Sequence, residues 1–311
     1  MKNKKIRVVP GALHHIYQQS EDGGLIFYSV GDFLCYYTIF MTRARRHGIA
    51  VYGLSLMYDH THSMVAPPDH LRLGRFIQEV NSNYTRTFNY EYGRTGALFR
   101  KGYGCAPRTD PKRARSSLIY LYNNQVEKHL CSKAMEDRWN FLAYLFSDNP
   151  FSEKLVVRRA SYGMRKALSV VRSRYRKGQP LSPTLFRNLA SGLSQKERSQ
   201  LVDFIITTYS EVDKEKVIEM WGSAGKMLIA INSTTGSEFD IGEVVMRNSS
   251  DADFPVLIKT VQSDGIVVNP GEVTALDDSR KRDLALYLRR KTGISYRHIC
   301  KFLHFSPDGD I

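Results

Sequence analysis

The first half of the chain alternates short segments typical of strands with longer segments of helical periodicity. In the helical segment 30–47, Phe33, Tyr37 and Phe40 recur on one side, and Gly48 follows as a C-terminal glycine. Strands are predicted over 12–19, 49–57, 60–65 and 96–106, and further helices over 71–92 and from Pro111 to about Cys131. This alternation predicts an α/β sandwich, in which helices pack on one sheet.

From about residue 152 the pattern changes to helices separated by polar connections. Loop-like breaks occur at 233–237, 248–253 and 269–271, and two final helices are predicted over 279–292 and 295–302. We therefore divide the chain into a sandwich domain at 1–150, a mostly helical accessory region at 151–275 and a C-terminal segment at 276–311.

The net charge of the chain indicates which classes of partner it can bind. Forty-five Lys and Arg residues against thirty-one Asp and Glu residues give a formal net charge of +14. Such a surplus suits a polyanion such as nucleic acid, although ribosomal and membrane-surface proteins are also basic. The four cysteines are scattered and form no CxxC pair, which disfavours disulfides and a cysteine zinc site. No apolar run indicates a signal peptide or a membrane span, so we expect a cytoplasmic location.

The strand at 60–65 carries a pair of histidines with one residue between them. Residues two apart on a strand point to the same face, so His60 and His62 can offer two imidazoles to one divalent metal. Two ligands make an incomplete site, so a third must come from elsewhere. The alternative is a polar strand edge with two surface histidines.

The helix from Pro111 separates two tyrosines by their helical phase. Its apolar positions form one stripe: Ile119, Tyr122, Val126 and Leu130. Tyr122 is therefore predicted to lie in the core. Tyr120 falls off the stripe, on the side of Asn124, where it can act as a nucleophile with Asn124 as the third metal ligand. The alternative is a half-exposed tyrosine that contacts solvent.

Four segments of the sequence together resemble one known family. LSLMYDHTHSMV is similar to the HUH motif of the single-tyrosine transposases, the insertion-sequence-200-like family with its REP-associated relatives. PGALHHIYQQ, RTGALFRKGY and YLYNNQV resemble the first strand, a later strand and the tyrosine helix of that family, in matching order and spacing over about residues 7–146. The chain departs from the family pattern at Thr61, Ser63 and Gln125, which changes packing around the site and removes no chemical group.

The resemblance implies a fold and an activity. The fold is a ferredoxin-like or RRM-like antiparallel sheet with helices, the HUH endonuclease fold, followed here by a mostly helical C-terminal region. The activity is cleavage of hairpin or palindromic single-stranded DNA, in which Tyr120 forms a 5′-phosphotyrosine and rejoins strands. Mg²⁺ or Mn²⁺ held by His60, His62 and Asn124 is the implied cofactor, with Asp59 orienting His60. Proteins of this kind act as monomers or homodimers.

Several basic residues are weaker candidates for contacts with DNA. Arg94, Arg100 and Lys101 flank a strand near the predicted site, where a solvated basic face is the alternative. The segment from about 282 resembles a helix-turn-helix that carries Arg297 and Lys301, and a basic helical pair packed on the domain explains it equally well. His14 and His15 lie on the first strand, where a structural role is favoured and a DNA contact by one of them is the alternative.

Two other functions use the same scaffold. One is a non-catalytic nucleic-acid-binding regulator with a decayed site, against which the intact His60, His62 and Tyr120 argue. The other is a replication initiator or relaxase-type nickase. Such proteins often add a helicase or a second catalytic tyrosine, and the sequence has no P-loop motif.

Overall fold

A computed structural model describes residues 8–233 and 250–306 of the chain. The first elements are β1 (Leu13–Gln19), α1 (Val30–His47), β2 (Ala50–Leu56), β3 (His60–Ala66), α2 (His70–Tyr92), β4 (Gly104–Arg108) and α3 (Pro111–Glu127). The four strands form one antiparallel sheet in the order β2-β3-β1-β4. This is the βαββαβ arrangement of ferredoxin-like folds, so the predicted fold class is confirmed.

Helix α1 illustrates how local sequence sets the boundaries of these elements. Ser29 caps its N-terminus in a capping box with Asp32, in which each side chain accepts from the backbone of the other residue. Gly48 ends the helix in the left-handed region, at φ 65°, where a Cβ would be strained. Both ends therefore fall where the sequence predicts them.

The sheet separates two layers of helices. Helices α1 and α2 pack on the face that carries Ile16 and Val65, in the larger hydrophobic core. Helix α3 packs on the opposite face, where Leu118 and Leu121 surround Met64. Gly53 on β2 permits this approach, because a Cβ there would lie 3.3 Å from a methyl carbon of Leu118.

The remaining described chain is helical, as predicted. Its helices are α4 (Tyr162–Arg176), α5 (Pro183–Ala190), α6 (Gln195–Tyr209), α7 (Lys214–Glu219), α8 (Ala224–Ser233), α9 (Asp253–Ser263), α10 (Asp278–Thr292) and α11 (Tyr296–Leu303). Helices α5 and α6 pack on α1, α4 packs on α6, and α11 packs on α9 and α10. No helix within the described ranges has the length and apolar character needed to cross a membrane. The three-part division of the chain stays a prediction.

Two predicted boundaries are wrong. The strand expected over 96–106 is present only at Gly104–Arg108. Residues 98–100 still bond the backbone at the end of β1, but Gly102 then adopts positive φ and interrupts the pairing before β4. The helix expected to reach Cys131 ends at Glu127, and His129 beyond it has a φ of 58°. The predicted breaks at 233–237 and 248–253 lie partly outside the described residues.

Candidate active site

The two histidines of β3 lie on the sheet face that packs against α3. The centroids of the His60 and His62 rings are 4.9 Å apart. Tyr120 on α3 is half-buried, and its ring centroid lies 5.5 Å from that of His62. The structure therefore brings together the three residues that the sequence singled out, within one chain.

His62 is held by a second histidine. Its Nδ1 lies 3.0 Å from Nε2 of His15 on the adjacent strand, and the two rings stack at 5.1 Å. His62 is 2% exposed, and its Nε2 has no hydrogen-bond partner among the described residues. Burial, followed by the charges of His60 and His15, lowers the pKa of His62 well below its usual value. A neutral imidazole with a buried, unpaired nitrogen is suited to metal ligation.

His60 is held by a carboxylate. Its Nδ1 lies 2.5 Å from Oδ1 of Asp59, while Nζ of Lys301 on α11 lies 3.3 Å from Oδ2 of the same group. Although burial opposes it, the charge and hydrogen bond of His60, assisted by Lys301, lower the pKa of Asp59. An ionised Asp59 therefore fixes His60 with Nδ1 protonated and its Nε2 lone pair available.

The donor set fits a divalent metal that also accepts an oxygen ligand. His60 and His62 both engage Nδ1 in a hydrogen bond, which leaves an Nε2 on each ring. In residues 8–233 and 250–306 no group of three or more His, Cys, Asp or Glu side chains could hold a metal. The predicted third ligand, Asn124, is 5% exposed and lies one helical turn after Tyr120, and its ligation of a metal stays a prediction.

Tyr122 is the core residue that its helical phase predicts. It is 1% exposed, and its hydroxyl donates to the backbone oxygen of Tyr52 at 3.4 Å. Burial raises its pKa well above the usual value. Tyr120 thus lies at the candidate site, and Tyr122 lies in the core.

Two of the three departures from the family pattern, Thr61 and Gln125, have local explanations. Oγ1 of Thr61 lies 3.2 Å from the hydroxyl of Tyr36 on α1, so its polar group is satisfied on the sheet face away from the histidines. The amide of Gln125 donates to Oγ of Ser55 at 3.0 Å, which ties α3 to β2.

The basic candidates occupy different environments. Arg94 is half-buried and donates to Asn89 and to the backbone of Ala97, whereas Arg100, Lys101 and Arg297 are exposed. Arg100 also donates to the backbone oxygen of Glu21 and lines a groove of about 410 Å³ beside α2. Lys301 is half-buried beside Asp59.

The sequence does not assign two residues near the site, His15 and Asp251, to the site. His15 was expected to be structural, and its position opposite β3 in the sheet register is the signal that could have identified it. Asp251 is 3% exposed, and its Oδ2 has no hydrogen-bond partner in the described part of the chain. Burial and the charge of Asp59 raise the pKa of Asp251 to about 6.

His14 has the structural role that the sequence favours, because its ring bonds the backbone of Val9 and Ala12.

Part of the chain matches the model of a known protein family. Residues 32–121, from α1 to the turn of α3 that carries Tyr120, match the family model described as "Transposase IS200 like". Over this segment the chain is similar to the IS200-like transposases, and the resemblance drawn from the sequence is confirmed. A solved structure of a REP-associated tyrosine transposase bound to a REP hairpin is similar at 10% identity and a TM-score of 0.41, covering 46% of this chain and 84% of that one. No curated protein sequence matches the chain.

Proposed function

We propose that this protein is a metal-dependent endonuclease and strand transferase that acts on single-stranded DNA next to hairpins or palindromes. The observation that carries the proposal is the position of Tyr120 beside His62, whose buried Nε2 has no hydrogen-bond partner in the described chain. Support comes from the family match, which spans both residues.

His60, His62 and Asn124 would hold the metal, Mg²⁺ or Mn²⁺. When bound, such an ion stabilises the negative charge that develops on the scissile phosphate. Asp59 keeps the His60 ring in the tautomer that presents Nε2. The bond between His15 and His62 has the same effect on the second ring, because His62 must donate from Nδ1 to leave Nε2 free.

Tyr120 supplies the nucleophile. Its hydroxyl oxygen, after loss of the proton, attacks the phosphorus, a new phosphorus–oxygen bond forms, and the bond to the 3′-oxygen breaks. The products are a 5′-phosphotyrosine and a strand with a free 3′-hydroxyl. A second 3′-hydroxyl can reverse the step and join two strands, so no external energy source is required.

Basic residues near the site would hold the substrate strand. Arg100 and Lys101 are exposed in the segment that leads into β4, where they can neutralise phosphates. Arg94 and Arg297 are further candidates for the DNA backbone. Because Lys301 is paired with Asp59, we assign it a positioning role beside the site in place of the expected DNA contact.

The arrangement favours a monomer as the active unit. Tyr120 lies beside the histidines of its own chain, so these groups do not require a helix exchanged with a partner. A homodimer remains compatible with the same site if its interface lies elsewhere.

A covalent-adduct assay tests the proposal. Wild type, Tyr120→Phe and Tyr122→Phe are incubated with Mg²⁺ and a labelled single strand that carries a hairpin. We expect a denaturation-resistant adduct with wild type and Tyr122→Phe and none with Tyr120→Phe. Absence of an adduct from wild type, with DNA binding retained, would favour the non-catalytic regulator. An adduct with Tyr120→Phe would remove Tyr120 as the nucleophile.

A further inference from the structure

One stretch of the accessory region carries most of the excess positive charge. Between residues 154 and 196 the sequence has eleven Lys and Arg residues and neither Asp nor Glu. The stretch includes α4 and α5, and two exposed arginines, Arg158 and Arg159, precede α4. An ordinary solvated surface mixes basic and acidic residues, whereas this stretch has basic residues alone.

The exposed face of α4 is built from side chains that bind phosphate. Its buried positions, Met164, Ala167, Leu168 and Val171, form one stripe. Its exposed positions are Tyr162, Arg165, Lys166, Arg172 and Arg176, with two serines and a glycine. Arg, Lys, Ser and Tyr are the side chains that commonly contact the phosphates and sugars of DNA.

These cations are not neutralised within the protein. Across the described residues, Arg165, Lys166, Arg172 and Arg176 form no ion pair with a carboxylate. Other basic residues of the same stretch do, since Arg187 pairs with Glu91 and Lys196 with Glu153. Over fifteen residues, or about 22 Å, α4 therefore displays positive charge in every turn.

The face is separate from the candidate active site. Helix α4 packs on α6, which packs on α1, where the hydroxyl of Tyr37 donates to the backbone oxygen of Ile206 at 2.8 Å. Helix α1 covers the sheet face opposite to the one that carries His62. A DNA strand bound at Tyr120 and a nucleic acid bound on α4 would therefore lie on different sides of the protein.

The composition of the face distinguishes between classes of polyanion. Proteins that hold single strands offer several aromatic rings to the bases, and this face has one, Tyr162, which is 77% exposed. A membrane-binding helix needs exposed Leu, Phe or Trp, and the exposed positions of α4 include none of these. A duplex, which presents its phosphates outward, fits best.

We propose that the exposed face of α4 binds the phosphate backbone of duplex DNA outside the cleaved single strand. The choice of DNA as the polyanion rests on the proposed function. Binding of this kind carries no base specificity, so the surface holds flanking duplex while the site on the other side of the sheet acts on an unpaired segment.

Two variants with the same loss of charge test the proposal. The first replaces Arg165, Lys166, Arg176 and Lys177 with Gln, which favours helix and keeps a polar surface. The control replaces Lys133, Lys216, Lys226 and Lys259 with Gln, and these four are also exposed and lie outside every segment assigned to DNA. Binding to a fluorescent duplex without single-stranded ends is measured by anisotropy from low to physiological salt, and thermal unfolding confirms that each variant is folded.

We expect the α4 variant to bind duplex at least tenfold more weakly than the control. The slope of log K against log salt concentration should become shallower by about 2 to 4, because each phosphate that the protein neutralises accounts for about 0.9 of that slope. Unchanged duplex binding, or an equal decrease in the control, would overturn the proposal. A double variant, Lys166→Glu with Lys177→Glu, should show the same direction of change if the first variant is unstable.

Two further arms separate this surface from the alternatives. If the α4 variant loses binding to phosphatidylserine vesicles and keeps duplex binding, the surface is a membrane site and the proposal is wrong. Adduct formation on a short unpaired strand should be equal in the α4 variant and wild type. If wild type forms no adduct at all while duplex binding still depends on α4, the proposed chemistry fails and the docking surface stands.

Discussion

The ammonium group of Lys301 lies 3.3 Å from Oδ2 of Asp59, whose other oxygen bonds His60 at 2.5 Å. Helix α11, near the end of the chain, thus contacts the HUH motif near its beginning. It is anchored there by the hydroxyl of Tyr28, which donates to the backbone oxygen of Phe302. The C-terminal pair of helices consequently packs on the domain beside the candidate site, whereas binding of this segment to DNA stays a prediction.

Replacement of Lys301 should weaken metal binding before it affects DNA binding. In Lys301→Met, Asp59 loses its second partner and holds the His60 ring less firmly, and supporting groups of this kind typically contribute about 10- to 100-fold to metal affinity. We expect Mn²⁺ affinity, measured by electron paramagnetic resonance, to fall about tenfold. Affinity for single-stranded DNA in the absence of metal should stay within about twofold.

The matched control is Lys291→Met. Lys291 also pairs with a carboxylate, that of Asp264, but on an exposed part of α10. Its replacement should leave Mn²⁺ affinity unchanged. Equal Mn²⁺ affinities for Lys301→Met and wild type would show that Asp59 orients His60 without help from α11.

A second prediction concerns the histidine that supports His62. In His15→Phe a ring of similar shape remains in the sheet, but Nδ1 of His62 no longer has an acceptor. We expect Mn²⁺ affinity to fall by about 10- to 100-fold, because the tautomer and orientation of His62 are no longer fixed. His14→Phe, on the other face of β1, serves as the control and should retain wild-type affinity even if its stability falls. The same decrease in both variants would indicate a general disturbance of the strand.

These residues show where sequence interpretation succeeds and where it stops. The shared face of His60 and His62 and the separation of Tyr120 from Tyr122 follow from strand alternation and helical phase, which are local properties of the chain. The ion pair of Lys301 with Asp59 joins residues 242 apart, so it depends on how α11 packs and leaves no local pattern. The shortened β4 has a local cause instead, since Gly102 adopts a positive φ within an extended-looking sequence.

A third prediction concerns the pH dependence of stability through Asp32. This carboxylate is 1% exposed and accepts from Tyr92 and from the backbone of Tyr28 and Ser29, yet burial raises its pKa to about 6. The folded protein therefore retains a proton that the unfolded chain has lost, so stability falls as pH rises from about 4 to 6. A shift of about two pH units corresponds to about 3 kcal/mol.

Comparison with Asp32→Asn isolates this effect. The amide has nearly the same shape and cannot titrate, whereas other groups such as His304 titrate equally in both proteins. From urea unfolding at pH 4 and pH 7, we expect wild type to lose about 3 kcal/mol relative to the variant as pH rises. A constant difference between the two proteins would mean that Asp32 titrates with an ordinary pKa in the fold.

The last prediction links packing at β2 to the position of the nucleophile. A Cβ at Gly53 would lie 3.3 to 3.5 Å from Leu118, Leu121 and the hydroxyl of Tyr122, so the larger side chain of Gly53→Val must push α3 away from the sheet. We expect a loss of about 1–3 kcal/mol in the free energy of unfolding. Displacement of α3 should also slow adduct formation by Tyr120 at temperatures where the variant is fully folded. Gly74→Ala, in the interior of α2 with nothing within 4 Å of the added carbon, should instead gain about 0.5–1 kcal/mol and keep the wild-type adduct rate. If Gly53→Val is as stable and as reactive as wild type, the close approach of α3 to β2 does not set the position of Tyr120.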